Sequence, residues 1–414
     1  MSRSLTGWHD GILGDFITLK RGYDLPKQDR RPGSIPIISS SGVSDYHVVA
    51  MARGPGVVTG RYGTLGQVFY VDEDYWPLNT ALYVSDFKGN DPRFVNYFLK
   101  TLDFFAYSDK AAVPGLNRNH LHEAQVHFPK SIGEQREIAS ILGALDDKIE
   151  LNRKISATLE AMARAIFTSW FVDFDPVRAK ADGRSAGLAT EIAALFPDAF
   201  EDSVDGDTPV GWLNVPLSDV MTFEGGSQPP ASEFISEPLD GYVRLVQIRD
   251  FYTDAHQTFV PDTSRLRKFD VNDLMIARYG SSGSSSTDSL GRICRGLSGA
   301  YNVALVKVIP KRHIREFLGY FLQSDTFQSA IKGMGTRSVQ SGFRKEDLST
   351  IYVTIAPENV HEQFERIATT VWQRKQSLEI ESRILSQLRD TLLPKLISGQ
   401  LRVSEAERIL EKSP

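Results

Sequence analysis

The sequence predicts an α+β protein built twice over: two globular units of mixed helix and strand, each followed by a long α-helix that needs a partner. Three observations carry this. Four sequence blocks recur in the same order in the two halves. Two long stretches repeat apolar residues at alternating steps of three and four. Short β-rich runs bounded by Gly, Pro and Ser fill the ground before each of those stretches.

The repeat is explicit. Gly60-Arg61-Tyr62-Gly63-Thr64-Leu65-Gly66 returns as Ala277-Arg278-Tyr279-Gly280-Ser281-Ser282-Gly283, and Leu78-Asn79-Thr80-Ala81-Leu82-Tyr83-Val84 as Tyr301-Asn302-Val303-Ala304-Leu305-Val306-Lys307. Phe94-Val95-Asn96-Tyr97-Phe98-Leu99 matches Phe317-Leu318-Gly319-Tyr320-Phe321-Leu322. Glu134-Gln135 with Ile138-Ala139 matches Glu362-Gln363 with Ile367-Ala368. The offset between copies grows only from 217 to 229 across the four blocks. Chance does not keep four blocks in order, so the halves are related.

Over residues 133–171 apolar side chains fall at Ile138, Leu142, Leu145 and Ile149, then at Ile155, Leu159, Met162 and Ile166, with Asn152 between the runs. That spacing is a coiled-coil seam. Residues 358–398 offer Phe364, Ile367, Val371, Leu378, Leu385, Leu388 and Leu392, interrupted by Arg374 and Glu381. At 1.5 Å per residue each helix is about 60 Å long, and such a helix exposes its seam unless it finds a partner. One chain supplies two of similar length, so each is the obvious partner of the other, the alternative being two independent helices each packed on its own domain.

In the globular units Gly56-Val57-Val58-Thr59, Gln67-Val68-Phe69-Tyr70-Val71 and Ala304-Leu305-Val306-Lys307-Val308-Ile309 read as strands, and residues 94–102 and 314–323 as helices. The chain divides into five segments: a globular domain (1–132), a helix (133–174), a linker rich in Pro, Gly and acidic residues around a short helical piece at 189–196 (175–209), a second globular domain (210–356) and a second helix (357–414).

Composition limits the chemistry. Hydrophobic residues at 41% and charged residues at 24% suit a folded chain and exclude wholesale disorder. The lone Cys294 excludes an internal disulfide framework and a thiolate metal cluster. No stretch reaches the ~18 apolar residues a membrane helix needs, and the N-terminus shows no signal-peptide run, so a cytoplasmic location is expected. The net charge of −5 hides an asymmetry. Residues 263–345 hold 14 Lys and Arg against 5 Asp and Glu, whereas residues 1–132 are nearly neutral at +1. A compact basic region suits a polyanion, and equally a solvated surface.

No catalytic constellation emerges. His120, His122 and His127 lie close together without cysteines, and no phosphate-binding loop is present. Gly60, Gly63 and Gly66 are spaced by threes, unlike a dinucleotide fingerprint. Gln228-Pro229-Pro230-Ala231 lacks the polar head and aromatic of an amino-methyltransferase motif, and Asp146-Asp147-Lys148 reads as solvated charge on a coiled-coil face. The chain reads as a non-enzyme.

Two places offer contacts. Arg61-Tyr62 and Arg278-Tyr279 occupy corresponding Gly-rich turns, where small residues let a backbone approach closely and Arg presents a fork to phosphate or guanine; a plain hairpin with an Arg salt bridge is the alternative. The second place precedes each long helix: Lys110, Asn117, Arg118, Asn119 and His120 in one half, and Arg337, Ser338, Gln340, Arg344 and Lys345 in the other. These side chains suit base edges and phosphates, though ordinary loop divergence also explains their differences. The run from Ser281 to Ser286 is either a loop that orders on DNA or a plain linker.

The arrangement resembles the specificity subunits of type I restriction-modification systems over essentially the full chain. The resemblance rests on Gly133-Glu134-Gln135-Arg136-Glu137-Ile138-Ala139, Leu145-Asp146-Asp147-Lys148-Ile149-Glu150-Leu151-Asn152 and Phe167-Thr168-Ser169-Trp170-Phe171-Val172-Asp173-Phe174-Asp175-Pro176-Val177. It rests also on Pro209-Val210-Gly211-Trp212 and Leu392-Leu393-Pro394-Lys395-Leu396-Ile397-Ser398-Gly399. It implies that each globular unit is a target-recognition domain for one half of a bipartite double-stranded DNA site. The helices would pair antiparallel and set the gap between the halves. Two methyltransferase subunits, and two restriction subunits in the full complex, would supply S-adenosylmethionine, ATP and Mg chemistry, with adenine N6 as the methylated atom and no cofactor in this chain. Glu134, Arg136, Trp170 and Phe171 lie in the family-like motifs and are the expected methyltransferase interface, or else packing within the chain. The near-neutral first domain departs from an even basic balance, and partner subunits would supply backbone grip there.

Overall fold

The computed structural model describes residues 7–108, 115–202, 206–253, 255–279, 289–335 and 342–411. The chain forms two compact units, Met1–Lys154 with Glu379–Pro414, and Ile155–Leu378. The divisions fall inside the long helices and not at their ends, because each half-helix buries its seam in its own unit's core. No helix among the described residues is long and apolar enough to cross a membrane.

In the first unit, Thr18–Arg21, Ala81–Asp86, Gly56–Gly60 and Val68–Val71 form an antiparallel sheet in that order. A smaller sheet holds Gly42–His47, Ile35–Ser39 and Trp76–Pro77, the last two parallel. Trp8–Ile12 pairs with Gln125–Pro129 just before the first long helix, Ile132–Phe171. Strand alternation assigns the faces. Val57, Leu82 and Val84 enter the larger core with Phe94, Phe98 and Phe128, while Val58, Ala81 and Tyr83 pack with Ile38 and Tyr75. The helix Pro92–Lys100 starts where Pro92 fits a first turn and the Asp91 carboxylate accepts the Phe94 N–H at 2.9 Å.

The second unit repeats the plan. Met221–Gly225, Leu305–Pro310, Met275–Ala277 and Ile293–Cys294 form the antiparallel sheet. Tyr242–Val246 and Gly299–Tyr301 form the parallel pair, and Leu213–Pro216 pairs with Tyr352–Ile355 before the second long helix, Glu358–Ile397. Ile276, Val306 and Val308 face the larger core, and Met275, Ala277 and Leu305 face the smaller cluster.

The pairing corrects the sequence match by one residue. Gly60 lies opposite Ala81, and its counterpart Ala277 lies opposite Leu305, not Ala304. The equated Asn79 and Asn302 are therefore out of register. A one-residue slip would send Leu82 and Val84 to the wrong face, so core packing decides the register.

The segment expected as a linker around one short helix carries that helix and a second one, and packs into the core. Asp175–Ala181 and Thr190–Ala193 are helical, and Val177 and Phe196 are buried in the second unit's core with Trp212. Its described acidic residues lie outward while apolar ones such as Val177 and Phe196 insert. Acidic composition alone did not reveal that division.

The helices pair antiparallel within each unit. In the first, Asn152 Nδ2 donates to Glu381 Oε2 at 3.0 Å and to Ser382 Oγ at 3.3 Å, and Arg389 binds Asp146 at 2.6 Å. In the second, Lys375 binds Glu160 at 2.5 Å and Trp170 meets Phe364. The seam differs in phase from the sequence reading. Met162 is 56% exposed while Ala163 is fully buried, and Arg374 is exposed while Lys375 is half-buried. An unbroken alternation of four and three runs Leu142, Leu145, Ile149, Asn152, Ser156, Leu159, Ala163, so Asn152 belongs to the seam rather than dividing it.

Candidate nucleic-acid interface

The two contact regions expected from sequence are one surface in each unit. In the first, the Arg61 carbonyl accepts the Leu116 N–H at 2.9 Å, and Tyr62 bridges Gly115. In the second, Arg278 Nε donates to the Phe343 carbonyl at 3.0 Å and Tyr279 bridges Gly342. Both glycines are required by close approach. A Cβ on Gly115 would stand 2.3 Å from the Tyr62 ring, and one on Gly342 would stand 2.6 Å from the Tyr279 ring.

Each Arg lies over its neighbouring ring, Arg61 at 4.6 Å from the Tyr62 centroid and Arg278 at 5.3 Å from that of Tyr279. The ring contact holds each guanidinium beside its tyrosine, and Arg61 Nη2 also donates to the Tyr62 hydroxyl at 3.3 Å. Beyond the glycine, Arg118 and Asn119 are exposed on the short helix Arg118–His122, whose Leu121 is buried. Arg344 and Lys345 are exposed at the matching place, where Leu348 is buried. Lys110, Arg337, Ser338, Gln340 and the run from Ser281 to Ser286 lie outside the described residues.

Electrostatics narrows the basic region. Arg267 and Lys307 bind Glu224 at 3.5 and 3.4 Å, Lys268 binds Asp262 at 2.6 Å, and Arg295 grips Glu316 through two bonds of 2.5 and 2.8 Å. Those cations are neutralised in place. Arg344, Lys345, Arg312 and Arg315 are exposed with no ion pair among the described residues. Near Arg118, burial and the neighbouring cations hold the His122 imidazole below its usual pKa, and its Nε2 accepts the Leu19 N–H at 2.9 Å. His127 pairs with Asp10 at 2.7 Å and stacks on Trp8. Both histidines thus have structural partners, and no metal-binding cluster occurs among the described residues.

The expected partner interface divides. Glu134 accepts the Trp8 indole N–H at 3.0 Å, and Arg136 is exposed, 3.8 Å from Asp91. Trp170 and Phe171, at 3% and 6% exposure, are core residues. Trp170 meets Phe196 edge-on at 5.1 Å, and Phe171 stacks on His361 at 5.2 Å. Such side chains have no surface to offer a partner, which corrects that expectation: a motif does not tell which helix face a residue occupies.

Sequence reasoning also missed a pair. Leu65-Gly66-Gln67-Val68 corresponds in the sheet to Leu290-Gly291-Arg292-Ile293, because Thr59 faces Val68 as Ile276 faces Ile293. The match of Leu65-Gly66 with Ser282-Gly283 stopped short of this. The second turn carries eight more residues, and a second Leu-Gly dipeptide was the available signal.

Comparison with known proteins gives concordant results. Residues 6–161 match the family model described as the type I restriction modification DNA specificity domain. The chain is 26% identical over 398 residues to the type I restriction enzyme HindI specificity subunit of Haemophilus influenzae, covering 81% of this chain and 84% of the relative. It is 22% identical over 405 residues to the MjaIX specificity subunit of Methanocaldococcus jannaschii, covering 90% and 88%. In fold it is similar to the crystal structure of a type I restriction-modification S subunit from M. genitalium, with a TM-score of 0.62 at 16% identity, over 95% of this chain and 97% of that one.

Proposed function

The chain belongs to the specificity subunits of type I restriction-modification systems, and from that premise we propose that its two Arg-Tyr surfaces each read one half of a bipartite DNA site. The observation that carries the reading is the duplication itself. The same Arg-Tyr pair, glycine bridge and exposed basic segment occur in each unit among the described residues, with different side chains at matching places. Two readers on one chain specify a split, asymmetric site. The paired helices set the number of unread base pairs between the halves. Trp170 and Phe171 being internal, the methyltransferase contacts are sought at Glu134 and Arg136, at the start of the first long helix. Two methyltransferase subunits, joined by two restriction subunits in the full complex, bring S-adenosylmethionine, ATP and Mg. Adenine N6 methylation takes place on a base flipped into the partner's pocket.

A base-resolution map of N6-methyladenine in host DNA, with and without the gene, tests this. Loss of one split motif with a constant gap is expected on deletion. No change after reconstitution with the neighbouring methyltransferase rejects the reading. Within the assembled methyltransferase, Arg278→Ala and Arg344→Ala should each weaken DNA binding by about 1–3 kcal/mol, measured by titration at fixed salt. Unchanged affinity in both would move the reading face elsewhere or leave a scaffold with protein-binding heads.

A further inference from the structure

The residues at Gln67 and Arg292 stand at equivalent points of the two sheets. Each follows a glycine in the left-handed region, Gly66 at φ +83° and Gly291 at φ +75°. Each precedes the first residue of a strand, Val68 or Ile293. Each also lends its carbonyl to the same partner, the N–H of Gly60 at 3.4 Å or of Ala277 at 2.9 Å. The preceding Leu65 and Leu290 are buried, whereas Gln67 and Arg292 are exposed. The residue after Gly60 is Arg61 and the one after Ala277 is Arg278, so both positions adjoin the surface described above.

Chemistry distinguishes this position from the surrounding cations. The Arg292 guanidinium lies 4.1 Å from the ring centroid of Tyr252, a side chain 47% exposed, and has no carboxylate partner among the described residues. Its neighbour Arg295 is instead closed on Glu316. A guanidinium held against a ring with no carboxylate partner keeps its donors for another acceptor. A phosphate accepts from charged and neutral donors alike, so the distinguishing property of the pair is its paired, in-plane geometry. Arg and Gln share planar, bidentate recognition of purine edges in the major groove: Arg donates twice to guanine O6 and N7, and Gln donates to N7 and accepts from N6 of adenine.

We propose that Gln67 and Arg292 are paired specificity-determining residues, Gln67 reading an adenine in one half-site and Arg292 a guanine in the other. This rests on the proposed DNA-reading function. The test uses the complete subunit with its methyltransferase and maps N6-methyladenine in host DNA for the wild type, Arg292→Gln, Arg292→Lys and Gln67→Arg. Arg292→Gln should lower methylation of the original motif about ten- to a hundredfold by changing the preference at one base pair of one half-site, leaving the other half-site and gap intact. Arg292→Lys, which keeps charge but not the fork, should relax that same base pair. Gln67→Arg should alter one base pair of the opposite half-site. Each side chain is exposed, and the unaffected half-site reports a folded protein. If Arg292→Lys retains the full motif, or Arg292→Gln lowers methylation evenly over all sequences, the side chain touches phosphate and the inference falls. A wild type with no split motif would instead overturn the reading on which it rests.

Discussion

His361 and Gln135 show how one structural place is served by two chemistries. The N–H of each bonds the carbonyl four residues earlier at its helix start, Pro357 or Ser131, so His361, and not the sequence-matched Gln363, stands where Gln135 does. Each is buried where the last strand of its unit turns into the long helix. Gln135 Nε2 donates to the Pro129 carbonyl at 2.9 Å, and His361 Nε2 accepts the Ala356 N–H at 3.2 Å. His361 also lies between Phe171 and Phe317, and burial, with a smaller push from Arg312, lowers its pKa to about 4. As pH falls from 6.5 towards 4, the unfolded chain takes up a proton that the folded chain refuses, so stability is lost across that window. His361→Gln should remove the loss, gaining on the order of 3 kcal/mol relative to the wild type between pH 7 and pH 4 in denaturant unfolding. Glu365, raised to about 7 mainly by burial, acts in the opposite direction, but it is common to both proteins and cancels in the difference. A difference that does not vary with pH would show that His361 titrates normally. Arg61, Tyr62, Arg278 and Tyr279 were legible at this scale because repeated residues in small-residue turns mark shared geometry. Arg292 was not, since its partner Tyr252 lies 40 residues earlier and only the folded sheet brings them together.

The long helices were legible as elements because a seven-residue apolar repeat has one helical explanation. Their phase was not. Alternating steps from Leu159 reach either Met162 or Ala163, and the facing helix decides between them by direction, burying Ala163. The same selection admits Asn152, which is 1% exposed and leaves its Oδ1 without a partner while its Nδ2 is bonded. A seam Asn of this kind costs stability and fixes register. Asn152→Leu should raise the unfolding free energy by about 1 kcal/mol, read from the denaturant midpoint at unchanged slope. A fall would show that the bonds to Glu381 and Ser382 outweigh the buried amide. In the strands, the run Gly56-Val57-Val58-Thr59 was readable as an element, but the faces of Val57 and Val58 and the register between copies had to await the ladder.

For the whole molecule, the helices carry the consequence for DNA. One heptad added to each, between Lys154 and Ile155 and between Leu378 and Glu379, preserves the seam and lengthens each helix by about 10.5 Å. At about 3.4 Å per base pair, the gap in the methylated motif should grow by about three base pairs while both half-sites remain unchanged. A methylome with the original gap would show that the helices do not set it. The sequence by itself determined the duplication, the two long helices, the absence of a catalytic motif and the Arg-Tyr turns, since each is carried by residues near one another in the chain. Tertiary structure alone decided that the supposed linker is core, that Trp170 and Phe171 face inward, and that Gly115 and Gly342 close onto the tyrosine turns. Burial and facing direction depend on groups distant in the chain, and neither composition nor local periodicity carries that information.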